Sequence, residues 1–255
     1  MTDGLRIRIR GMLLLGAAAS GLTIAPSFAG DLGNQPLSKP GAKHANDASV
    51  APVQSNPYGM SYGEWSAAWW QWAFSLPKDH SPLFGTADCN AGQSGRIWFL
   101  PGAVLGGPTP RQDCTVRQGT SLFVAVINAE CSNLEGSGNT EGELRGCADF
   151  ISSLIDKNSL RASLDGEPLT DLSNYLVESP LFSFGPLPDN NLITFFCLTE
   201  MCLPATEGSK GYAVGAGVYL MFHPLSVGSH TLTFHGEVPA AGLVVDTTYN
   251  LRIKL

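Results

Sequence analysis

One segment of this chain combines the residue types that bind sugars and cations. Between residues 61 and 76 it carries the carboxylate of Glu64, the indole of Trp70 and the carboxamide of Gln71. An aromatic plane beside a carboxylate and an amide can hold a sugar ring or a cationic ligand by stacking and hydrogen bonding. The alternative is structural: Glu64 caps a helix, and the tryptophans fill a core laid against that helix.

A second candidate site lies at the end of an apolar strand predicted over Leu122 to Ile127. Asn128 and Glu130 follow that strand, and the ends of strands are where binding and catalytic residues often sit. Glu130 together with Glu64 would supply the two carboxyl groups that a glycoside hydrolase needs. Asn128 is a candidate for ligand binding.

Two histidines form a third candidate, a metal site. Gly217 to His223 and His230 to Gly236 are typical of the two strands of one hairpin, which would place His223 directly opposite His230. Two imidazoles so placed could bind a transition metal. The alternative is a pair of surface histidines at a hairpin end, because a slip of one residue in the register separates them.

Two helices are predicted among the elements that would position these residues. Ser61-Tyr-Gly-Glu64 fits a capping box, and Pro77 marks the end of the helix that it opens. A second capping box, Thr140 with Glu143, opens a helix predicted over Glu141 to Asp156. One stripe of the first helix carries four large apolar side chains: Trp65, Trp69, Trp72 and Leu76.

Most of the remaining chain is predicted to form short strands separated by turn residues. Asp165-Gly166 is typical of a hairpin turn, and the last strand alternates apolar and polar residues, as a strand with one wet face does. Together they indicate a mainly β fold, an antiparallel β-sandwich of immunoglobulin-like or jelly-roll-like type. The predicted strands are 95–100, 121–128, 160–164, 192–197, 217–223, 230–236 and 247–255.

Six cysteines, an even number, indicate disulfides in an oxidising compartment. Pairing between neighbours along the chain is the expected connectivity, although six cysteines allow fifteen pairings. A zinc site is the competing interpretation, but it usually needs two close pairs of ligands. The expected pairs are Cys89 with Cys114, Cys131 with Cys147, and Cys197 with Cys202.

The first residues have the three-part layout of a signal peptide. Arg6, Arg8 and Arg10 precede an apolar run, and cleavage is expected after Ala29. The sequence therefore predicts a signal peptide over 1–29, a flexible leader over 30–56 and one domain over 57–255, secreted or periplasmic, with no transmembrane segment after cleavage. The formal net charge of −7 argues against a nucleic-acid partner.

Several phrases of this sequence resemble an uncharacterised family of bacterial exported proteins. They are Ser61-Tyr-Gly-Glu-Trp-Ser-Ala-Ala-Trp-Trp-Gln-Trp, Ile97-Trp-Phe-Leu and Pro224-Leu-Ser-Val-Gly-Ser-His-Thr-Leu. The resemblance covers Pro57 to Leu255. It implies export from a bacterium and a sandwich fold, and it brings no activity.

The function expected from the sequence is that of an exported binding or cell-envelope protein. Its ligand would be a carbohydrate or an envelope component, and no cofactor is expected. One alternative is a small extracellular hydrolase that acts on a polysaccharide or another polymer through Glu64 and Glu130. A second alternative is a metal-binding protein that uses His223 and His230. Common catalytic motifs, including the zinc-protease helix, the nucleophile elbow and the phosphate loop, are absent from the sequence.

Overall fold

Within the described residues, three α-helices, each opened by a capping side chain, accompany a larger share of strand. The computed structural model describes residues 49–84, 88–102, 107–108, 112–197 and 202–255. Helix α1 spans Tyr62–Phe74, α2 spans Glu141–Ser153 and α3 spans Leu192–Phe196. The two predicted capping boxes are confirmed at α1 and α2. Each offers a hydroxyl and a carboxylate to the free amides of a first turn.

The strands form two sheets. These strands are β1 Ile97–Leu100, β2 Gly107–Pro108, β3 Gln112–Arg117, β4 Ser121–Ser132, β5 Arg161–Leu164, β6 Glu167–Pro168, β7 Leu176–Glu178, β8 Phe182–Phe184, β9 Gly211–Phe222, β10 Gly228–Val238 and β11 Leu243–Lys254. The first sheet has the order β1-β4-β9-β7, with β8 also paired to β9, and the second has the order β2-β11-β10-β5-β6, with β3 also paired to β11.

Both sheets are mixed, so the prediction of a purely antiparallel arrangement is wrong. In the first sheet β1 runs parallel to β4, and in the second β2 and β3 run parallel to β11. The remaining pairs are antiparallel. Two parallel strands need a long connection between them. That connection is available here, because β1, β2 and β3 each pair with a strand that is not the next one in the sequence.

One hydrophobic core is shared by the two sheets. Alternate residues of β4 and β9, such as Val124 and Leu220, meet alternate residues of β10 and β11, such as Phe234 and Leu251. The alternation predicted for the last strand is confirmed, because Tyr249, Leu251 and Ile253 of β11 are buried. The side chains between them face away from this core.

Helix α1 packs on the other face of the first sheet. Trp69 and Phe74 are fully buried there, and Trp69 contacts Tyr219 of β9. The opposite side of the helix is covered by the chain from β8 to α3, where Phe74 contacts Phe184 at 4.4 Å between ring centroids. Burial on both sides explains why α1 is apolar around most of its circumference.

The neighbour pairing predicted for the cysteines is confirmed. Disulfides join Cys89 to Cys114, Cys131 to Cys147 and Cys197 to Cys202. The second of these ties α2 to β4 across a sequence separation of 16 residues. The third joins the residue that follows α3 to Cys202, with a separation of five residues.

The segment 192–197, predicted as a strand, is instead helix α3 for most of its length. Its β-branched and aromatic residues favour a strand, but the side chain of Asn191 accepts a hydrogen bond from the Thr194 N–H at 3.0 Å and starts a helical turn. Leu192 and Ile193 are buried in that turn. The capping interaction therefore decides the local structure.

The predicted hairpin of 217–223 with 230–236 is also wrong. Strand β9 belongs to the first sheet and β10 to the second, so the chain crosses between sheets from His223 to Val227. Leu225 is buried in the shared core along that crossing. By contrast, the Asp165-Gly166 turn is confirmed, because both residues have positive φ and β5 pairs with β6 around them.

The packed part of the chain begins before the predicted domain start at Pro57. Val50 and Ala51 are buried, although they fall within the predicted leader. Ala51 N–H donates to Met221 O at 2.8 Å, and His223 N–H donates to Ser49 O at 2.8 Å. The predicted signal peptide and residues 30–48 lie outside the described residues. Within the described ranges, no helix has the length and hydropathy needed to cross a membrane.

Candidate functional site

The residues predicted to form a binding edge on the Trp-rich helix do not share a cleft. Glu64 is exposed, and its Oε2 accepts hydrogen bonds from the Ser61 N–H at 2.7 Å and the Ser61 hydroxyl at 2.8 Å. These bonds, the backbone one first, hold the pKa of Glu64 below its usual value. Gln71 is exposed and donates through Nε2 to Ser183 O at 2.8 Å. Trp70 is buried, with 5% of its surface exposed.

Trp70 is a core residue rather than an open platform. Its ring lies edge-on to Trp69 at 4.9 Å and stacks on Phe74 at 5.4 Å between centroids. The indole also covers Gly215 of β9, where a Cβ would come within 2.7 Å of it. Both faces of the ring are therefore occupied, and Trp70 offers no stacking surface to a sugar. The helix fits the alternative interpretation, in which Glu64 caps it and the tryptophans fill a core.

Glu130 is buried on β4 and has a different partner from the predicted one. Burial, and then the charge and the hydrogen bond of Glu135, raise the pKa of Glu130 well above its usual value. Glu64 lies at the start of α1, roughly 9 Å along the helix axis from Trp70 at a rise of 1.5 Å per residue. Glu64 is exposed and held by Ser61, so the structure does not unite it with Glu130 as an acid–base pair.

Asn128 is half-buried beside the buried tyrosine of β9. Its Nδ2 donates to the Tyr219 hydroxyl at 3.0 Å. Burial raises the pKa of Tyr219 above its ordinary value, and the bond from Asn128 acts in the opposite direction. Asn128 therefore satisfies a buried hydroxyl, which is a structural use of its amide.

The two histidines of the predicted metal site do not lie opposite each other on paired strands. His230 Nδ1 lies 2.8 Å from Asp165 Oδ2, and His223 is exposed on the crossing between sheets. Because β9 and β10 lie in different sheets, no strand register places these imidazoles opposite each other. Among the described residues, no cluster of three His, Cys, Asp or Glu side chains could hold a metal ion.

Asp165, His230 and Ser226 have the order of contacts of a catalytic triad, but His230 Nε2 is closer to a backbone oxygen than to the serine hydroxyl. His230 Nε2 lies 3.3 Å from Ser226 Oγ and 2.9 Å from Ser226 O. A carbonyl oxygen only accepts, so at this distance Nε2 donates to Ser226 O. While Nε2 is engaged in that bond, it is not free to take the proton of Ser226 Oγ, as the general base of a serine nucleophile must. The three residues therefore clamp the crossing loop onto the Asp165-Gly166 turn.

A groove with a volume of about 500 Å³ could hold a small ligand. It lies between the segment 50–54, the segment 169–175 and β9, whose buried Leu220 contributes to the lining. Its volume falls within the range of roughly 300–1,000 Å³ that is typical of small-molecule sites. We call it the 50/175 groove.

The lining of the 50/175 groove combines apolar side chains with polar ones. Gln54, Asp171 and Asn174 are exposed polar residues of the lining, and Tyr175 supplies a half-buried aromatic ring. Asp171 is the one residue of the lining that carries a formal charge. Carboxylate and amide groups beside an aromatic ring suit a ligand that is rich in hydroxyl groups, whereas an anion would be repelled by Asp171.

Tyr62 fixes the geometry of the groove from beneath. Its hydroxyl donates to Ala51 O at 2.6 Å and accepts the Met221 N–H at 3.1 Å, and both bonds are buried. Its ring contacts Tyr175 at 5.8 Å between centroids. Tyr62 thus holds the segment 50–54 and the ring of Tyr175 to β9. The first turn of the Trp-rich helix supports the groove without lining it.

The groove was not predicted from the sequence. The segment Leu169-Thr-Asp-Leu-Ser-Asn-Tyr175 alternates apolar and polar residues and carries an aromatic residue. That pattern is a weak indication, which a strand or a helical turn would give equally well. The other wall, 50–54, belongs to the predicted leader 30–56, whose composition predicts disorder.

Comparisons with known proteins provide no family for this chain. No protein-family model matches it, and no curated protein matches its sequence. Among solved structures, the chain is similar to Amebosin, known from a solution structure, with 11% sequence identity over 63% of this chain and all of the Amebosin chain. The TM-score of that match is 0.22, a value too low to carry an argument about fold or function.

Proposed function

We propose that this protein is an exported β-sandwich that binds a small, neutral, hydroxyl-rich ligand of one or two sugar rings in the 50/175 groove. It acts as a binding protein of the cell envelope or its surroundings and performs no chemistry on the ligand. The ligand class is the one expected from the sequence, but the binding site is the 50/175 groove and not the Trp-rich helix.

The observation that carries the proposal is the chemistry of the groove lining. The amides of Gln54 and Asn174 have no side-chain hydrogen bond within the described residues, so they are available to a ligand. The carboxylate of Asp171 can accept from sugar hydroxyls, and the ring of Tyr175 offers apolar surface to the C–H groups of a sugar. Val50 and Leu220 give the groove an apolar part that water leaves readily.

Export is supported by the three disulfides, since such bonds persist in oxidising compartments. The predicted signal peptide supports the same compartment. Mass spectrometry of the protein recovered from its producing cell should find Gly30 at the N-terminus, outside the cytoplasm. An intact Met1 on cytoplasmic protein would contradict export without bearing on the groove.

The binding experiment is a titration of the protein with neutral monosaccharides and disaccharides, in which isothermal calorimetry measures the affinity. The variants Gln54→Ala and Asn174→Ala each remove an exposed amide from the lining. Each should weaken the binding of a responsive sugar by about two- to twelvefold, because one hydrogen bond contributes roughly 0.5–1.5 kcal/mol. Asp171→Asn removes the charge and suits the left-handed backbone of that position (φ 54°).

The matched control is Glu207→Gln, an exposed carboxylate on a turn outside the groove lining. It should leave sugar binding unchanged. If no neutral sugar binds to the wild-type protein, or if the groove variants bind as tightly as the wild type does, the proposed function is wrong.

A further inference from the structure

Strand β3 lies at an edge of the second sheet. It pairs with β11, and within the described residues no strand pairs with its other side, which we call the free edge. The strand spans Gln112–Arg117 and contains neither proline nor glycine. The unpaired N–H and C=O groups of such an edge can bond to another chain, unless side chains or a bulge prevent it.

The register of β3 with β11 shows which backbone groups point to the free edge. Arg117 lies opposite Lys254, and the N–H of Gln118 donates to Lys254 O at 2.6 Å. Alternate residues of a strand bond to a given neighbour, so the even-numbered residues of β3 bond to β11. The N–H and C=O groups of the odd-numbered residues, Asp113, Thr115 and Arg117, therefore point to the free edge.

The free edge is exposed, while the strand itself is firmly attached. Asp113, Thr115 and Arg117 are exposed, whereas Cys114 between them is buried and joined to Cys89 by a disulfide. Cys89 Sγ lies 3.6 Å from Asp113 O, so the disulfide flanks one end of the edge. Thr115 stands at the centre of a fixed edge that another chain can reach.

The exposed charges of β3 have opposite signs at its two ends. Asp113 lies near the start of the strand and Arg117 at its end, opposite Lys254 of β11. Like charges directly opposite each other destabilise a sheet, and Arg117 forms no ion pair within the described residues. A neighbouring chain that offers a carboxylate at this position would supply the missing negative charge.

We propose that two copies of this chain associate through β3, which pairs antiparallel with β3 of the second copy about a two-fold axis at Thr115. In this register Asp113 lies opposite Arg117 of the second copy, and Thr115 lies opposite Thr115 of the second copy. Because all of these residues direct their backbone groups to the free edge, each pair can exchange two hydrogen bonds. The second sheets of the two copies then form one continuous sheet.

The pattern of charges selects a second copy in the antiparallel orientation. Charged side chains usually protect an edge strand from pairing. About a two-fold axis, however, Asp113 of each copy meets Arg117 of the other, so both contacts are attractive. A parallel arrangement in register would place Asp113 beside Asp113 and Arg117 beside Arg117, and both contacts would be repulsive. The interface is isologous, so association stops at two copies.

Sedimentation velocity of the protein isolated from its producing cell measures the association. The wild type should pass from the mass of one chain at about 1 µM toward twice that mass at about 1 mM, as expected for a small interface. Glu207→Lys changes an exposed charge outside β3 and should follow the wild type. A wild type that keeps the mass of one chain at about 1 mM overturns the proposal. No residue of β3 lines the 50/175 groove, so this outcome is independent of sugar binding.

Two charge reversals test the register. Asp113→Lys and Arg117→Glu each place like charges opposite each other at both contacts, so each variant alone should dimerise about tenfold more weakly than the wild type. In an equimolar mixture, one contact is the original Asp113–Arg117 pair and the other joins the two introduced charges. The mixture should therefore associate about as tightly as the wild type. The register is wrong if the mixture associates no better than the separate variants.

A proline tests the backbone bonds at the two-fold axis. Thr115→Pro removes an N–H that points to the free edge, and proline is tolerated there because the ladder with β11 loses no bond. This variant should keep the mass of one chain, whereas Thr115→Val retains the N–H and should dimerise as the wild type does. Circular dichroism confirms that each variant is folded, and the charge reversals decide if Thr115→Pro is not. Dimerisation of folded Thr115→Pro with wild-type affinity would show that the copies meet through another surface.

Discussion

The hydroxyl of Tyr62 donates a buried hydrogen bond of 2.6 Å to the carbonyl oxygen of Ala51. The same hydroxyl accepts the N–H of Met221 at 3.1 Å, so one phenol joins α1, the segment before it and β9. Burial keeps this hydroxyl protonated by raising the pKa of Tyr62 above its usual value. The N-terminal wall of the 50/175 groove is thus held in place by a residue at the base of the Trp-rich helix.

Tyr62→Phe should destabilise the protein by about 1–3 kcal/mol, because it leaves a buried N–H and a buried carbonyl oxygen without that partner. Urea unfolding at neutral pH measures the loss. Tyr212→Phe is the matched control, since the Tyr212 hydroxyl donates to Asn139 O in an exposed position where water can replace it. An equal loss in both variants would contradict the role given to Tyr62.

Gly215→Ala should cost about 1–3 kcal/mol, because a Cβ at this position would overlap the indole of Trp70 and force the core to shift. The control is Gly146→Ala in α2, where a Cβ meets nothing within 4 Å. That change should stabilise the protein by about 0.5–1 kcal/mol through helix propensity. Thermal unfolding of the two variants should therefore shift in opposite directions. A neutral Gly215→Ala would show that Trp70 is loosely packed.

The Asp165–His230 clamp should make stability depend on pH in a predictable direction. Burial lowers the pKa of His230, but the hydrogen bond and charge of Asp165 and the Ser226 carbonyl raise it overall. The clamp's contribution is present below the unfolded pKa of about 6.5 and is lost as the pH rises through the higher folded value.

Asp165→Asn isolates that contribution, because asparagine suits the same turn and can still accept the Thr231 N–H that Asp165 Oδ1 accepts at 2.8 Å. The variant should be less stable than the wild type by under about 1 kcal/mol at about pH 5.5, since the carboxylate is half exposed, and nearly equal to it at about pH 9. Urea unfolding at both pH values measures the difference. A constant deficit across this range would mean that the charge of His230 is not involved.

Removal of the Cys131–Cys147 disulfide by double alanine substitution should cost about 3 kcal/mol, on the entropy of a loop of its length. The shorter Cys197–Cys202 loop should cost about 2 kcal/mol on the same basis. Denaturant unfolding of the two double variants compares them directly. The reverse order would show that the attachment of the 197–202 loop matters more than chain entropy does.

The elements that depend on residues close together in sequence were predicted correctly from local patterns. The capping boxes at Ser61 and Thr140, the Asp165-Gly166 turn and the alternation of the last strand each depend on residues within a few positions of one another. The cysteines also pair with their neighbours along the chain, as predicted, although the separations reach 25 residues.

The wrong predictions concern partners that are distant in sequence. Strands β9 and β10 follow each other along the chain, yet they pair in different sheets, and no residue within 217–236 reveals that choice. The burial of Trp70 depends on cover from the chain between β8 and α3. The 50/175 groove needs three segments that meet only in the folded protein, so its residues carry no common pattern.

The central claim is that the 50/175 groove binds the ligand, and amide chemical shifts test that claim most directly. The ¹⁵N-labelled protein is titrated with the neutral mono- and disaccharides, and the residues whose signals move are mapped onto the structure. We predict that the shifts cluster in 50–54 and 169–175, with little change around Glu64 and Gln71 of the Trp-rich helix. Saturable shifts elsewhere, with the groove unperturbed, would contradict the proposed site, and no saturable shift with any sugar would contradict the proposed ligand class.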